Sequence, residues 1–267
     1  MNAKYLEPRH LRELIVEQCK LSNVGHIGSA LSVVEIMSVL YSHILRIKSF
    51  ADNDRDRFIL SKGHAAITLY AILYMIGSIS IDELRRYCSD ESMLGVHPDH
   101  VLESIDFSTG SLGHGLSYGV GSALAARLQG SSRRAFVLIS DAECNEGSVW
   151  EAALFAAHHK LSNLITIVDY NGQQAFGYTD EVLSLMPICD KWRAFGWRVE
   201  EVDGHSTEEL IHCFERIEEI QDRPKIIIAH TISGKGVSYM EGLIKWHYWP
   251  MSDNEFDIAK KELAFFE

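Results

Sequence analysis

The sequence predicts an α/β protein in which one parallel sheet is flanked by helices on both faces. Three observations carry this expectation. The strands it suggests, at 135–139 and 164–168, are short and wholly apolar instead of alternating, as in sheets buried on both sides. Segments of helical periodicity separate them. Of the 267 residues, 46% are hydrophobic, enough for one large core and a single domain over 1–267.

The elements follow in order. Leu11, Leu14, Ile15 and Cys19 recur at helical spacing and predict a helix over about 8–21. After the loop Gly25-His26-Ile27-Gly28, a second helix is expected over 32–45. Phe58-Ile59-Leu60 reads as a strand end that runs into Ser61-Lys62-Gly63-His64 and an apolar helix over 65–76. Ser80 and Glu83 form a capping-box pattern. The glycine-rich stretch 110–121 is either a close-packed helix start or a place where backbone approaches a ligand. Strand 135–139 then leads to a helix over 145–160 and strand 164–168 to a helix over 187–195. Strand 197–202 is followed by a helix capped by Ser206 and Glu209 that ends near 220, and Pro224 precedes strand 225–229. The sheet should therefore hold five or six strands, beside an N-terminal helical region. The apolar tail Leu263-Ala264-Phe265-Phe266 is expected to pack on its own domain or on a partner.

Composition narrows the function. The formal charge is −12 with no basic block, which disfavours nucleic acid. An acidic chain still binds an anionic cofactor where a metal ion or backbone N–H groups supply local positive charge. The five cysteines are widely spaced and never CxxC, which fits reduced thiols in the cytoplasm better than disulfides or a zinc site. Residues 1–12 are charged without an apolar core, so no signal peptide is expected, and no apolar run approaches the ~18 residues of a membrane span.

In a parallel sheet, ligands sit at the carboxyl ends of strands. Asp141 follows one predicted strand, and Asn171 follows the next, thirty residues later. A carboxylate and an amide oxygen are hard ligands of the kind Mg²⁺ or Ca²⁺ takes, with phosphates completing the shell. The spacing also allows a plainer reading, in which Asp141 caps a helix and Asn171-Gly172 is a turn.

At these positions the chain resembles the transketolase family. Ser140-Asp141-Ala142-Glu143 with Glu146-Gly147, then Val168-Asp169-Tyr170-Asn171, is similar to the thiamine diphosphate motif Gly-Asp-Gly…Asn. Val24-Gly25-His26-Ile27-Gly28-Ser29, Arg57 through His64, Gly95-Val96-His97-Pro98, Thr109 through Gly115, and Gly234-Lys235-Gly236 with Trp246-His247 match in family order. Only the first of that family's three domains is covered, so the resemblance is closest to the N-terminal, diphosphate-binding subunit of a split transketolase. It implies a partner chain carrying the pyrimidine-binding domain and the glutamate that activates the cofactor, with α₂β₂ assembly as the default.

The resemblance also implies roles. Asp141, Asn171 and the carbonyl of Gln173 hold Mg²⁺ or Ca²⁺. His64 and the backbone near Ala142 contact the diphosphate, and Glu143, inside the motif, counts among the cofactor-binding positions. Leu112 and Gly113 approach the aminopyrimidine through main-chain groups. His26, His64, His97 and His247 bind the hydroxyls of a sugar or sugar-phosphate substrate and move protons, a task imidazole suits. Glu146 and Glu151 match interface positions. The implied reaction moves a two-carbon ketol unit from a ketose to an aldose.

Two departures stand out. Gly-Asp-Gly reads Ser140-Asp141-Ala142, and if Ala142 needed a left-handed backbone its methyl would cost roughly 1–2 kcal/mol. Trp246-His247 is followed by Tyr248 where the family usually has glycine, which would narrow the substrate channel. Two other readings stay open: the α subunit of a 2-oxo acid dehydrogenase, which the many histidines argue against, and a degenerate, non-catalytic scaffold.

Overall fold

The computed structural model describes residues 5–266; the first residues of the charged N-terminal segment, 1–4, and Glu267 lie outside them. Seven strands occur among these residues: β1 (Arg57–Leu60), β2 (Ala135–Ser140), β3 (Leu164–Tyr170), β4 (Gln173–Gln174), β5 (Gly177–Tyr178), β6 (Arg198–Asp203) and β7 (Lys225–His230). Five form one all-parallel sheet in the order β1-β2-β3-β7-β6. β4 and β5 make a small antiparallel hairpin beyond the carboxyl edge.

The sheet is buried on both faces because its central strands have apolar side chains in both directions. From β2, Phe136 and Leu138 enter one core with helices Pro8–Ser22, Ala66–Met75 and Thr207–Glu218. Val137 and Ile139 enter the other, with helices Gly115–Leu128, Gly147–His158 and Ile188–Ala194. Helix Ala66–Met75 is apolar all round and buried from Ala66 to Leu73, which its near-continuous hydrophobic sequence requires. Gly119 lets helix Gly115–Leu128 lie directly on β2: a Cβ there would stand 2.3 Å from a Val137 methyl.

The structure corrects several boundaries. The helix expected over 32–45 is instead Ile27–Leu31, Val34–Val39 and a wider turn Leu40–Ile44. The break falls where the Ser32 hydroxyl, 3.0 Å from the Ser29 carbonyl, donates to the Asp169 carboxylate at 2.7 Å. The helix expected from 145 starts at Gly147, after a 3₁₀ turn, Ala142–Asn145, that Asp141 caps. Helix Asp253–Leu263 was not expected, although Ser252 and Glu255 form a full capping box.

The tail packs on its own domain. Leu263 is fully buried, and the Arg12 guanidinium lies 4.9 Å from the Phe266 ring, whereas Phe265 points outward. Arg12 is itself buried and paired with Glu35 at 2.5 Å. Truncation before Leu263 is expected to destabilise the protein by about 2–4 kcal/mol, from the lost leucine and the uncovered ion pair. Urea unfolding checks this; an unchanged midpoint would remove the packing role.

Candidate active site

Sheet register brings the site together. Ser140 pairs with Asp169, so Asp141 and Asn171 leave adjacent strands at the same carboxyl edge. Asn171 lines a cleft of about 180 Å³ whose wall also includes His26, Lys62, His64, His97 and His247, while Asp141 lies buried behind it between the lining residues Ser140 and Ala142. The predicted residues Leu112, Ala142 and Gln173 line it as well.

Three of the histidines form a triangle. Ring centroids are 5.3 Å apart for His26 and His64, 5.5 Å for His26 and His247, and 5.6 Å for His64 and His247. His26 holds its place with a left-handed backbone, φ 63°, and its N–H donates to the His247 carbonyl at 3.1 Å. Gly25 has no room for a side chain, because a Cβ would lie 2.1 Å from the Tyr248 carbonyl oxygen. His97 packs its ring against Gly110.

All four imidazoles are pushed below their ordinary value. Burial is the main cause for each, with nearby His97 adding to it for His26, and Lys62 for His64. His247 falls to about 4 through burial and the His26 ring. At neutral pH the cleft therefore presents neutral imidazoles, each with one donor and one acceptor nitrogen.

Beside them lies the expected ligand set. Asp141 is fully buried and accepts from the N–H of Ala142 and of Gly172, both at 2.8 Å, and from the Thr179 hydroxyl at 3.2 Å. Burial, then the Asp169 carboxylate, raises its carboxyl to about 7. The Asn171 amide is oriented by its neighbours. Its Nδ2 donates to Asp169 at 2.8 Å, and a carboxylate can only accept, so Oδ1 must face the other way. There Oδ1 accepts from the Gln173 N–H at 2.9 Å and keeps a lone pair free.

Reading the residues alone missed what anchors this arrangement. Lys62 and Asp169 form a fully buried ion pair. Asp169 also accepts from Ser32, Asn171 and Thr231, while Lys62 donates to the Ser29 carbonyl at 3.1 Å. In the sequence Lys62 stands out only as part of a motif match.

Two expectations are corrected. Glu143 does not line the cleft. Its buried carboxylate accepts from the Ser61 hydroxyl and from the N–H groups of Gly113 and Ser140, both at 2.9 Å, and so ties three loops together. Gly113 does not line the cleft either: its N–H goes to Glu143, and its carbonyl accepts from the Ser148 hydroxyl at 2.9 Å with a second lone pair left.

The departures also resolve. Ala142 is not among the described residues with positive φ, so its methyl carries no left-handed strain. Tyr248 does narrow the mouth. Its ring lies 5.7 Å from His26, and its hydroxyl donates to the Ala175 carbonyl at 3.3 Å.

Among the described residues no three His, Cys, Asp or Glu side chains cluster as metal ligands. The donors at this edge are one carboxylate and amide oxygens, a set that suits Mg²⁺ once phosphate oxygens join it. Three buried polar atoms here lack any partner: His26 Nδ1, Gln173 Oε1 and Gln174 Nε2. Orphaned groups of this kind are costly unless a ligand satisfies them. The residues present therefore fit a metal-linked phosphate cofactor, and the chain has the form of a cofactor-binding α/β domain.

Comparisons with known proteins give the family. The model for "Transketolase, thiamine diphosphate binding domain" matches residues 6–267. One subunit of the apulose-4-phosphate transketolase of Phocaeicola vulgatus is 39% identical over 261 residues, covering 97% of this chain and 93% of that one. The 6-deoxy-6-sulfo-D-fructose transketolase subunit SqwG of a Clostridium species is 39% identical over 256 residues, with coverage of 95% and 93%. A crystal structure of Campylobacter jejuni transketolase superposes with a TM-score of 0.92 at 30% identity; the match spans 97% of this chain but 42% of that one. The chain belongs to the transketolase family, as its thiamine diphosphate binding domain.

Proposed function

We propose that this chain is the diphosphate-binding subunit of a two-chain transketolase that moves a two-carbon ketol unit from a ketose to an aldose, both phosphorylated or otherwise modified sugars. The observation that carries this reading is the group of neutral imidazoles beside Asp141 and Asn171 at one sheet edge. The near-complete coverage of relatives named as single transketolase subunits supports a partner chain, and α₂β₂ is the expected assembly. No helix among the described residues is long and apolar enough to cross a membrane. The five unpaired cysteines support a reducing, cytoplasmic setting.

In this reading Asp141, the Asn171 Oδ1 and the Gln173 carbonyl hold the divalent cation. His64 and the backbone at Ala142 meet the diphosphate, while Leu112 presents a wall toward the aminopyrimidine. Thiamine diphosphate, when bound, supplies the carbanion chemistry. His26, His64, His97 and His247 accept and donate hydrogen bonds to sugar hydroxyls and shuttle the proton that each cleavage and condensation requires. Tyr248 narrows the entrance, which favours a substrate that enters end-on. Glu146 and Glu151 are exposed and available to a partner.

The test is calorimetric titration of thiamine diphosphate with Mg²⁺ into this chain, alone and mixed with the chain encoded beside it. Binding is expected only in the mixture, followed by ketol transfer on adding a ketose and an aldose. A mixture that binds no cofactor would return the protein to the scaffold reading.

A further inference from the structure

A second cavity lies apart from the cleft. It lies at the opposite end of the strands, beneath the amino edge of β2, β3 and β7, and measures about 780 Å³. The length of a strand, roughly 20 Å, separates the two. Its size falls within the roughly 300–1,000 Å³ of small-molecule sites.

The floor of this cavity is apolar, with the Arg134 guanidinium 4.9 Å over the Phe136 ring. Phe136, Ile165, Phe214 and Ile217 line it, and each is no more than 4% exposed. The walls are cationic: Arg46, Arg127, Arg134, Lys160 and Lys225 face two acids, Glu215 and Glu218. In a chain of net charge −12 this is a local reversal of sign.

Some of that charge is already used. Arg46 and Arg134 both bind Asp56, and Arg134 also reaches Glu218 at 3.0 Å. The rest is not. Lys225 is 3% exposed and donates only to the Ser162 carbonyl, with no carboxylate in ion-pair range among the described residues. Burial, with Arg134 nearby, pushes its ammonium down to about 8 against the weaker opposing pull of Glu218 and Asp222. Among the described residues Arg127 is held by the His159 carbonyl alone. Lys160 has no ion-pair partner among the described residues, and its backbone is left-handed, φ 51°, where glycine is the usual occupant.

A buried ammonium with no carboxylate in ion-pair range, two further cations outside any ion pair among the described residues and an aromatic floor share one chemical complement. We propose that this cavity binds a small organic phosphate, its phosphate held by Lys225, Lys160 and Arg127 and its apolar body resting on Phe136 and Phe214. The site is separate from the cofactor cleft and does not depend on the function proposed for it.

Phenyl phosphate is the minimal probe, titrated calorimetrically into the full chain with inorganic phosphate as the control. Saturable binding near or below about 1 mM is expected, with inorganic phosphate about tenfold weaker. Lys225→Met and Lys160→Gly should each weaken phenyl phosphate about tenfold, as loss of a charge-assisted contact does. Lys160→Gly is exposed and relieves the backbone, so it folds even if Lys225→Met does not. Asp141→Asn, at the other edge, should leave the affinity unchanged. Absence of saturable binding would overturn the proposal. So would binding that survives Lys160→Gly and is displaced by thiamine diphosphate with Mg²⁺, because the probe would then occupy the cleft.

Discussion

Asp141→Asn is expected to weaken Mg²⁺-dependent binding of thiamine diphosphate by at least about a hundredfold, since even residues that only support metal ligands account for 10–100-fold. The carboxylate is the one anionic ligand in the proposed set, and the substitution keeps its shape while removing its charge. A pH signature accompanies it. The folded Asp141 carboxyl titrates at about 7, above the ordinary carboxylate value. The metal-free fold therefore loses stability as pH rises from the ordinary carboxylate range toward 7, because ionising this group costs more folded than unfolded. A bound cation removes that cost and displaces the proton below about pH 7. Metal affinity should then fall about tenfold per pH unit on acidification below 7. Titrations at pH 8 and pH 6 check both points; an affinity that is flat with pH in the wild type would exclude Asp141 as the ligand that titrates.

Lys62→Met should be among the most destabilising single changes outside the apolar core. It leaves Asp169 buried with hydrogen-bond donors but no cation, a loss of about 3–5 kcal/mol. For a chain of this size the melting temperature should drop by about 10 °C. The change also removes the counter-charge from the carboxylate toward which Asn171 turns its amide nitrogen. Stability and metal affinity should therefore fall together. Adding Asp169→Asn should restore part of the stability, because a neutral amide costs less to bury, but not the metal affinity. Scanning calorimetry of both variants checks the first claim. A melting temperature within about 2 °C of wild type in Lys62→Met would mean that the pair contributes little.

How far the site was legible depended on what each residue's role required. Asp141 and Asn171 end short apolar strands, and in a parallel sheet that pattern places them at the ligand-bearing edge before any contact is known. The histidines were legible by their glycine and proline neighbours, which mark close backbone approaches such as Gly25 against Tyr248. Lys62–Asp169 was not, because the pair joins the ends of β1 and β3 across β2, and nothing local to either residue announces the other. Glu143 misled for a related reason. A carboxylate two positions after Asp141 looks like a ligand, but the 3₁₀ turn Ala142–Asn145 rotates it into the protein. The helix Gly115–Leu128 was only half-read because glycines at 115, 119 and 121 lower its intrinsic propensity, and packing on β2 overrides that penalty.

The cleft draws its walls from His26 near one end of the chain and His247 near the other, joined by a backbone hydrogen bond. The pieces between them arrive from β1, β2 and β3. The proposed metal-ligand edge is complete in sequence by Gln173, but the imidazole triangle closes only when the segment carrying His247 docks. Cofactor retention would thus report on a chain that is both folded through His247 and joined to its partner. A chain stalled short of His247 would leave the triangle open, and a ligand that binds only the finished, assembled state protects only finished molecules. In a cell where the cofactor is scarce, correctly folded copies would accumulate at the expense of the rest with no sensor other than the binding equilibrium.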